Sequence, residues 1–127
     1  MDPVSALMAG LSAIGSTIGE QAIKDGYQAL KNLLGRKFGG SHPRLVERVD
    51  DFVQDPKTFA KPMEKALQDS GAAQDPEVVG SVTQLVEQAD AIKPVPAGLI
   101  GSLKAVRSNI AVVGGNVNGG INFGRRD

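Results

Sequence analysis

The stretch Asp75-Pro76-Glu77-Val78-Val79-Gly80-Ser81-Val82-Thr83-Gln84-Leu85-Val86-Glu87-Gln88-Ala89-Asp90-Ala91 carries a start signal and a period together. An aspartate accepts hydrogen bonds from the amides of a first helical turn. A proline just after it lacks an amide hydrogen that would have no partner there. Behind that start, Val78, Val79, Val82, Leu85, Val86 and Ala89 return every three or four residues, the spacing of one helix face. The reading is an amphipathic helix from about Pro76 to Ala91.

The same punctuation recurs at Asp2-Pro3 and Asp55-Pro56, with Ser41 and Pro43 as a weaker fourth start. A first helix is expected over Pro3–Gly19, with Val4, Leu7, Met8, Leu11, Ile14 and Ile18 as its apolar stripe and Ser5, Ala9, Ser12 and Ser16 opposite. Gly10, Gly15 and Gly19 each weaken it by up to about 1 kcal/mol relative to alanine. A second helix follows over about Glu20–Leu34, with Ile23, Tyr27, Leu30 and Leu34 inward and Lys24, Asp25, Gln28 and Lys31 in water. With no proline between them, the two can also be one bent helix. A third runs from about Pro43 to Val53. Pro56–Ser70 is helical but broken by Pro62, whose ring clashes with the preceding turn, and Gly71 closes it. The fold class is all-α: a small bundle of four to five helices over residues 1–91, with a flexible carboxy-terminal tail able to form β-structure on assembly.

Composition supports one ordinary domain. The chain has 127 residues, 41% hydrophobic and 22% charged, with one Tyr, four Phe and no Trp, so aliphatic side chains must build the core. Fourteen basic residues balance fourteen acidic ones, which gives no general pull toward nucleic acid. The balance is uneven along the chain: residues 41–93 are acidic and residues 94–127 are basic. The absence of cysteine excludes disulfides, thiolate catalysis and cysteine-ligated zinc, and fits a cytoplasmic setting. Residues 3–19 hold no charge, but the start Met1-Asp2-Pro3 lacks the basic opening of a signal peptide. As a helix they span roughly 25 Å, short of the ~30 Å hydrocarbon layer.

Catalytic chemistry finds little purchase. His42 is the one histidine and sits beside Pro43 in a loop, where a solvated side chain is the expected state. Asp50 and Asp51 are helix neighbours pointing about 100° apart, so they read as a solvated face. Gly114-Gly115 and Gly119-Gly120 are not followed by the Lys-Ser/Thr of a phosphate loop. The expectation is no enzyme, no cofactor and no metal.

Beyond Ala91 the chain changes character. Residues 92–108 read as a linker, extended at Pro94-Val95-Pro96, with a weak helix at Leu99, Leu103 and Val106. Residues 109–127 are rich in Gly and Asn. From Val113 onward, Val113, Gly115, Val117, Gly119, Ile121 and Phe123 alternate with positions that include Asn116, Asn118 and Asn122, and no charge falls between Ser108 and Gly124. Period two is the strand period, and asparagine ladders with a dry apolar face suit in-register stacking of identical strands. The residues expected to carry self-assembly are Val112, Val113, Gly115, Asn116, Val117, Asn118, Ile121, Asn122 and Phe123. A disordered terminus is the plain alternative.

Two segments carry a resemblance. Met1-Asp2-Pro3-Val4-Ser5-Ala6-Leu7, with the small-residue helix after it and Ala22-Ile23-Lys24-Asp25-Gly26-Tyr27-Gln28-Ala29-Leu30-Lys31-Asn32-Leu33-Leu34, resembles the Bell domains, bacterial counterparts of the fungal HeLo-type cell-death domains. The tail resembles bacterial amyloid signalling motifs, some related to the RIP homotypic interaction motif. Gly115-Asn116-Val117-Asn118 fits the second half of that motif, whereas Gly114 stands where it has an apolar residue.

The resemblance implies an effector of regulated cell death or bacterial immunity. Its partners would be itself, a nucleotide-binding receptor with a matching motif, and membrane lipids once activated. It would be cytoplasmic at rest and membrane-associated afterwards. Val4, Leu7, Met8, Leu11, Ile14 and Ile18 would then be the membrane-interacting residues. The competing expectation is a non-enzymatic helical adaptor whose tail is a disordered tether.

Overall fold

A computed structural model describes residues 2–115, with side chains described to residue 110. Six α-helices make up the described residues, and no strand occurs among them. They are α1 (Pro3–Ile14), α2 (Gln21–Phe38), α3 (Leu45–Gln54), α4 (Pro56–Ser70), α5 (Pro76–Ile92) and α6 (Leu99–Gly115). Short 3-10 turns at Gly15–Thr17 and Ala72–Gln74 extend α1 and precede α5.

The three Asp-Pro starts hold. Asp2 accepts from the Ser5 amide at 3.4 Å, Asp55 from Thr58 at 3.4 Å, and Asp75 from Glu77 and Val78 at 2.8 and 3.3 Å. Gly71 closes α4 in the left-handed region, at φ 75°, where a Cβ would be strained. Pro62 kinks α4: Phe59 leaves helical geometry at φ −105° and ψ 15°, because the Pro62 ring and its missing donor break the bond to the carbonyl four residues back.

Three boundaries differ from the sequence reading. The first helix ends at Ile14 and tightens into a 3-10 turn, in which the Thr17 hydroxyl donates to the Ile14 carbonyl at 3.0 Å. The second runs on to Phe38, since Gly35 does not break a helix whose neighbours are already packed. The Ser41-Pro43 start is not used: Ser41–Arg44 form a turn, the Leu45 amide donates to His42, and α3 begins at Leu45.

The larger correction is α6. The expected linker with a weak helix is a full core helix, with Leu99, Leu103 and Val106 buried and Ile110 packed against the core. Four apolar residues spaced by four, three and four make one stripe, and burying each is worth about 1.5–3 kcal/mol, more than the flanking glycines cost. Only Lys93–Pro96 keeps the extended connection read from its prolines, pinned where the Val95 amide donates to Asp90 at 3.0 Å.

Helix α5 is the axle of the bundle, packing on α1, α2 and α6. It approaches α1 and α2 closely because each offers a glycine. A Cβ at Gly10 would lie 2.7 Å from Val82 Cγ1, and one at Gly26 would lie 2.5 Å from Leu85 Cδ2. Gly10, read from sequence as a weakness of the first helix, is a notch that admits α5.

Candidate functional site

The apolar first helix is the element on which the sequence reading placed its function. In the fold it is a central helix, in contact with α3, α4, α5 and α6. Of the stripe, Leu7, Leu11 and Ile14 are fully buried, while Val4, Met8 and Ile18 are half-buried against the same core. Ser5, Ser12 and Ser16 point to water. The apolar face is therefore inside and a row of serines is outside. No helix among the described residues is long and apolar enough to cross a membrane.

Besides α3 and α4, helices α5 and α6 cover α1. Gly10 sits where the three meet: a Cβ there would touch Leu103 Cδ1 of α6 and Val86 Cγ2 of α5, each at 3.4 Å, besides Val82. Polar contacts hold α6 to α5 more weakly. Lys104 reaches Glu87 at 3.3 Å with both side chains exposed, a pair worth at most about 1 kcal/mol. The Arg107 guanidinium lies over Gly80, where a Cβ would stand 3.0 Å from its Nε and Cζ.

The carboxy-terminal motif is divided by the structure. Asn109–Gly115, expected as part of a strand-forming segment, is the last part of α6 in this single chain. A lone strand leaves its amides and carbonyls unpaired, whereas a helix satisfies them internally. Val112, Val113 and Gly115 therefore lie on a helical backbone. Asn116, Val117, Asn118, Ile121, Asn122 and Phe123 lie outside the described residues.

Among titratable groups, one cluster was missed from sequence. Asp50, read as part of a solvated face, is half-buried between α2 and α3. It accepts from the Tyr27 hydroxyl at 2.5 Å and from Lys31 at 3.2 and 3.4 Å, with the Lys31 ammonium 4.8 Å from the Tyr27 ring centroid. Burial first, then the hydrogen bond to Asp50 and its charge, hold the Tyr27 phenol far above its ordinary value of 10.0. The group ties two helices together. A heptad-like spacing put Tyr27 inward, but nothing local in the sequence pairs it with a residue 23 positions away.

A second network joins the end of α2 to the start of α5. Lys37 reaches Glu77 at 2.7 Å and Asp75 at 3.0 Å, and Arg36 reaches Glu77 at 3.6 Å. These contacts, Glu77 before Asp75, raise the Lys37 ammonium above its usual range. They also bring cations to a helix carboxy-terminus and anions to a helix amino-terminus, where the backbone dipoles favour each. No group of three His, Cys, Asp or Glu able to hold a metal occurs among the described residues.

A family profile described as the Het-E N-terminal domain matches residues 1–124. No curated protein and no solved structure matches the chain.

Proposed function

The chain belongs to the Het-E N-terminal domain family, a helical domain of the HeLo-like cell-death type, and from that premise we propose that it is a cell-death effector armed by its own carboxy-terminal segment. Copies of the segment stack as strands, templated by a matching motif on a nucleotide-binding receptor. Clustering then releases α1 to act on a membrane. The domain carries no catalysis and needs no cofactor in this reading. It rests in the cytoplasm and moves to the membrane when activated, and nucleic acid plays no part.

The observation that carries the reading is the double duty of α6. Its first half buries Leu103 over Gly10 of α1, and its last residues, Asn109–Gly115, belong to the stretch whose alternation suits strand stacking. A segment cannot be helix and strand at once. Assembly that draws residues 109–115 into a stack shortens α6 from its free end and strips cover from α1. The uncharged run from Pro3 to Gly19 gives α1 a surface that lipid accepts once uncovered.

The test uses the full chain with dye-loaded vesicles and preformed seeds of the carboxy-terminal peptide. Seeding is expected to start fibril growth and leakage together. Ile121→Pro, which removes a strand donor, is expected to stop both. Met8→Lys puts a charge on the half-buried part of the α1 stripe, where the long side chain can reach water in the resting fold, and an unchanged melting temperature checks that the fold holds. An interfacial helix buries that stripe among acyl chains, where a charge is unfavourable, and leakage is expected to fall while fibrils still grow. Leakage that ignores both substitutions defeats the proposal. The second reading, a helical adaptor, draws on the burial of α1 as a core helix. It is the answer if fibrils grow and vesicles stay sealed.

A further inference from the structure

An open groove of about 660 Å³ lies between the turn before α3 and the second half of α4, lined by no residue of α6. Beside the imidazole of His42, its charged lining is Arg44, Arg48, Lys61, Lys65 and Asp69. Arg44 and Arg48 are one helical step of four apart at the start of α3, and Lys61 and Lys65 are four apart on α4, so two cationic rows face each other across the opening. Cations elsewhere that bridge helices, such as Lys31 and Lys37, are matched to carboxylates. In the groove, Lys65 pairs with Asp69 at 3.3 Å with both largely exposed, and among the described residues Arg44, Arg48 and Lys61 have no carboxylate within ion-pair distance. The floor is apolar, made by Pro43, Leu45, Pro62 and Ala66. Pro62, read from sequence only as a helix breaker, thus has a place in the groove.

Like charges brought together across a low-dielectric floor repel, and a multivalent anion between them turns the repulsion into attraction. Paired guanidinium groups suit the oxygens of a phosphate, with lysines adding point charge. We propose that this groove binds a phosphate-monoester group, carried on a lipid headgroup or on a soluble molecule. The inference rests on the groove alone and is independent of tail assembly.

Inositol trisphosphate is the soluble probe, titrated into isotopically labelled full-length protein and followed by amide shifts. Saturable shifts centred on His42, Arg44, Leu45 and Ala66 are expected, which needs no variant and so no assumption about folding. Exchanging Arg48 and Lys61 for glutamine is expected to weaken binding by at least about tenfold. Lys24→Gln, on the exposed face of α2, is expected to leave it unchanged. Flotation with phosphatidylcholine vesicles, plain or carrying phosphatidylinositol bisphosphate, then separates the sources. Recruitment that the trisphosphate displaces assigns a lipid headgroup, and trisphosphate binding without recruitment assigns a soluble phosphate. Shifts spread over all exposed lysines, equal loss in Lys24→Gln, or no binding of the trisphosphate overturns the proposal.

Discussion

Helices α5 and α6 are both 17 residues long and lie against each other, yet they are held in different ways. Helix α5 begins with a capping aspartate and a proline and buries Val78, Val79, Val82, Thr83, Leu85, Val86 and Ala89 among three neighbours. Helix α6 follows Gly98 at φ 84° and is buried through Leu99, Leu103 and Val106. The first is fixed on several sides, and the second lies along one stripe. Local stability in a small domain follows the density of such anchors. The bundle thus places at its centre a helix anchored on several sides, and over α1 one whose described side chains are anchored along one stripe.

Five substitutions break or sharpen that contrast, the last from a site remote from α6. Val79→Asp puts an unpaired carboxylate at a position with no solvent exposure in α5. It is expected to cost more than about 3 kcal/mol and to abolish the cooperative thermal transition followed by circular dichroism. Leu103→Ala empties a fully buried site in α6 and is expected to cost about 2–4 kcal/mol. If α6 is the separately opening unit, hydrogen exchange will show amide protection lost mainly in α6 and at the Gly10 face of α1, with α5 still protected. Uniform loss across the bundle would erase the distinction.

Glycines give a smaller, two-signed test. Gly10→Ala forces a methyl to 2.7 Å from Val82, a β-branched and fully buried side chain, and is expected to destabilise by about 1–3 kcal/mol. Gly101→Ala meets open space in α6 and is expected to stabilise by up to about 1 kcal/mol through helix propensity. Denaturant midpoints that move in the same direction would break the argument that the α1–α5 contact is close-packed and the outer face of α6 is not.

Tyr27, the chain's one tyrosine, supplies the mildest perturbation, remote from α6. Its raised phenol means both states hold the proton below pH 10.0, so its contribution to stability is complete there. Above that pH the unfolded chain ionises while the folded one keeps its proton, and stability falls as pH rises. Lys37, also raised, acts in the same direction. Tyr27→Phe is expected to cost about 1 kcal/mol at neutral pH and to flatten the alkaline decline. Tyrosinate absorbance in the native protein should lag behind that of free tyrosine. A native phenol that titrates normally would mean the Asp50 contact is absent in solution.

Much of the architecture was legible because its signals are local. The three capping aspartates, the kink at Pro62, the left-handed Gly71 and the inward faces of α1, α2, α3 and α5 each depend on residues within a turn or two of one another. The stripe of α6 was equally visible as a spacing, but glycines at its flanks and an alternating tail argued the other way. Packing against α1 and α5 settled it, and no neighbour in sequence reports that. The site was less legible. The apolar run of α1 can be read from its residues, whereas its burial depends on which helices return to cover it.

By itself the sequence determined the three Asp-Pro helix starts, the left-handed stop at Gly71 and which faces are apolar, since capping, backbone freedom and periodicity act between residues already close along the chain. Only the tertiary structure decided that Gly10 and Gly26 are notches for α5, that Asp50 locks Tyr27, that cations from α3 and α4 share one groove, and that α6 lies over α1. Those facts join positions tens of residues apart, and such pairings are chosen by how whole faces fit when the core excludes water.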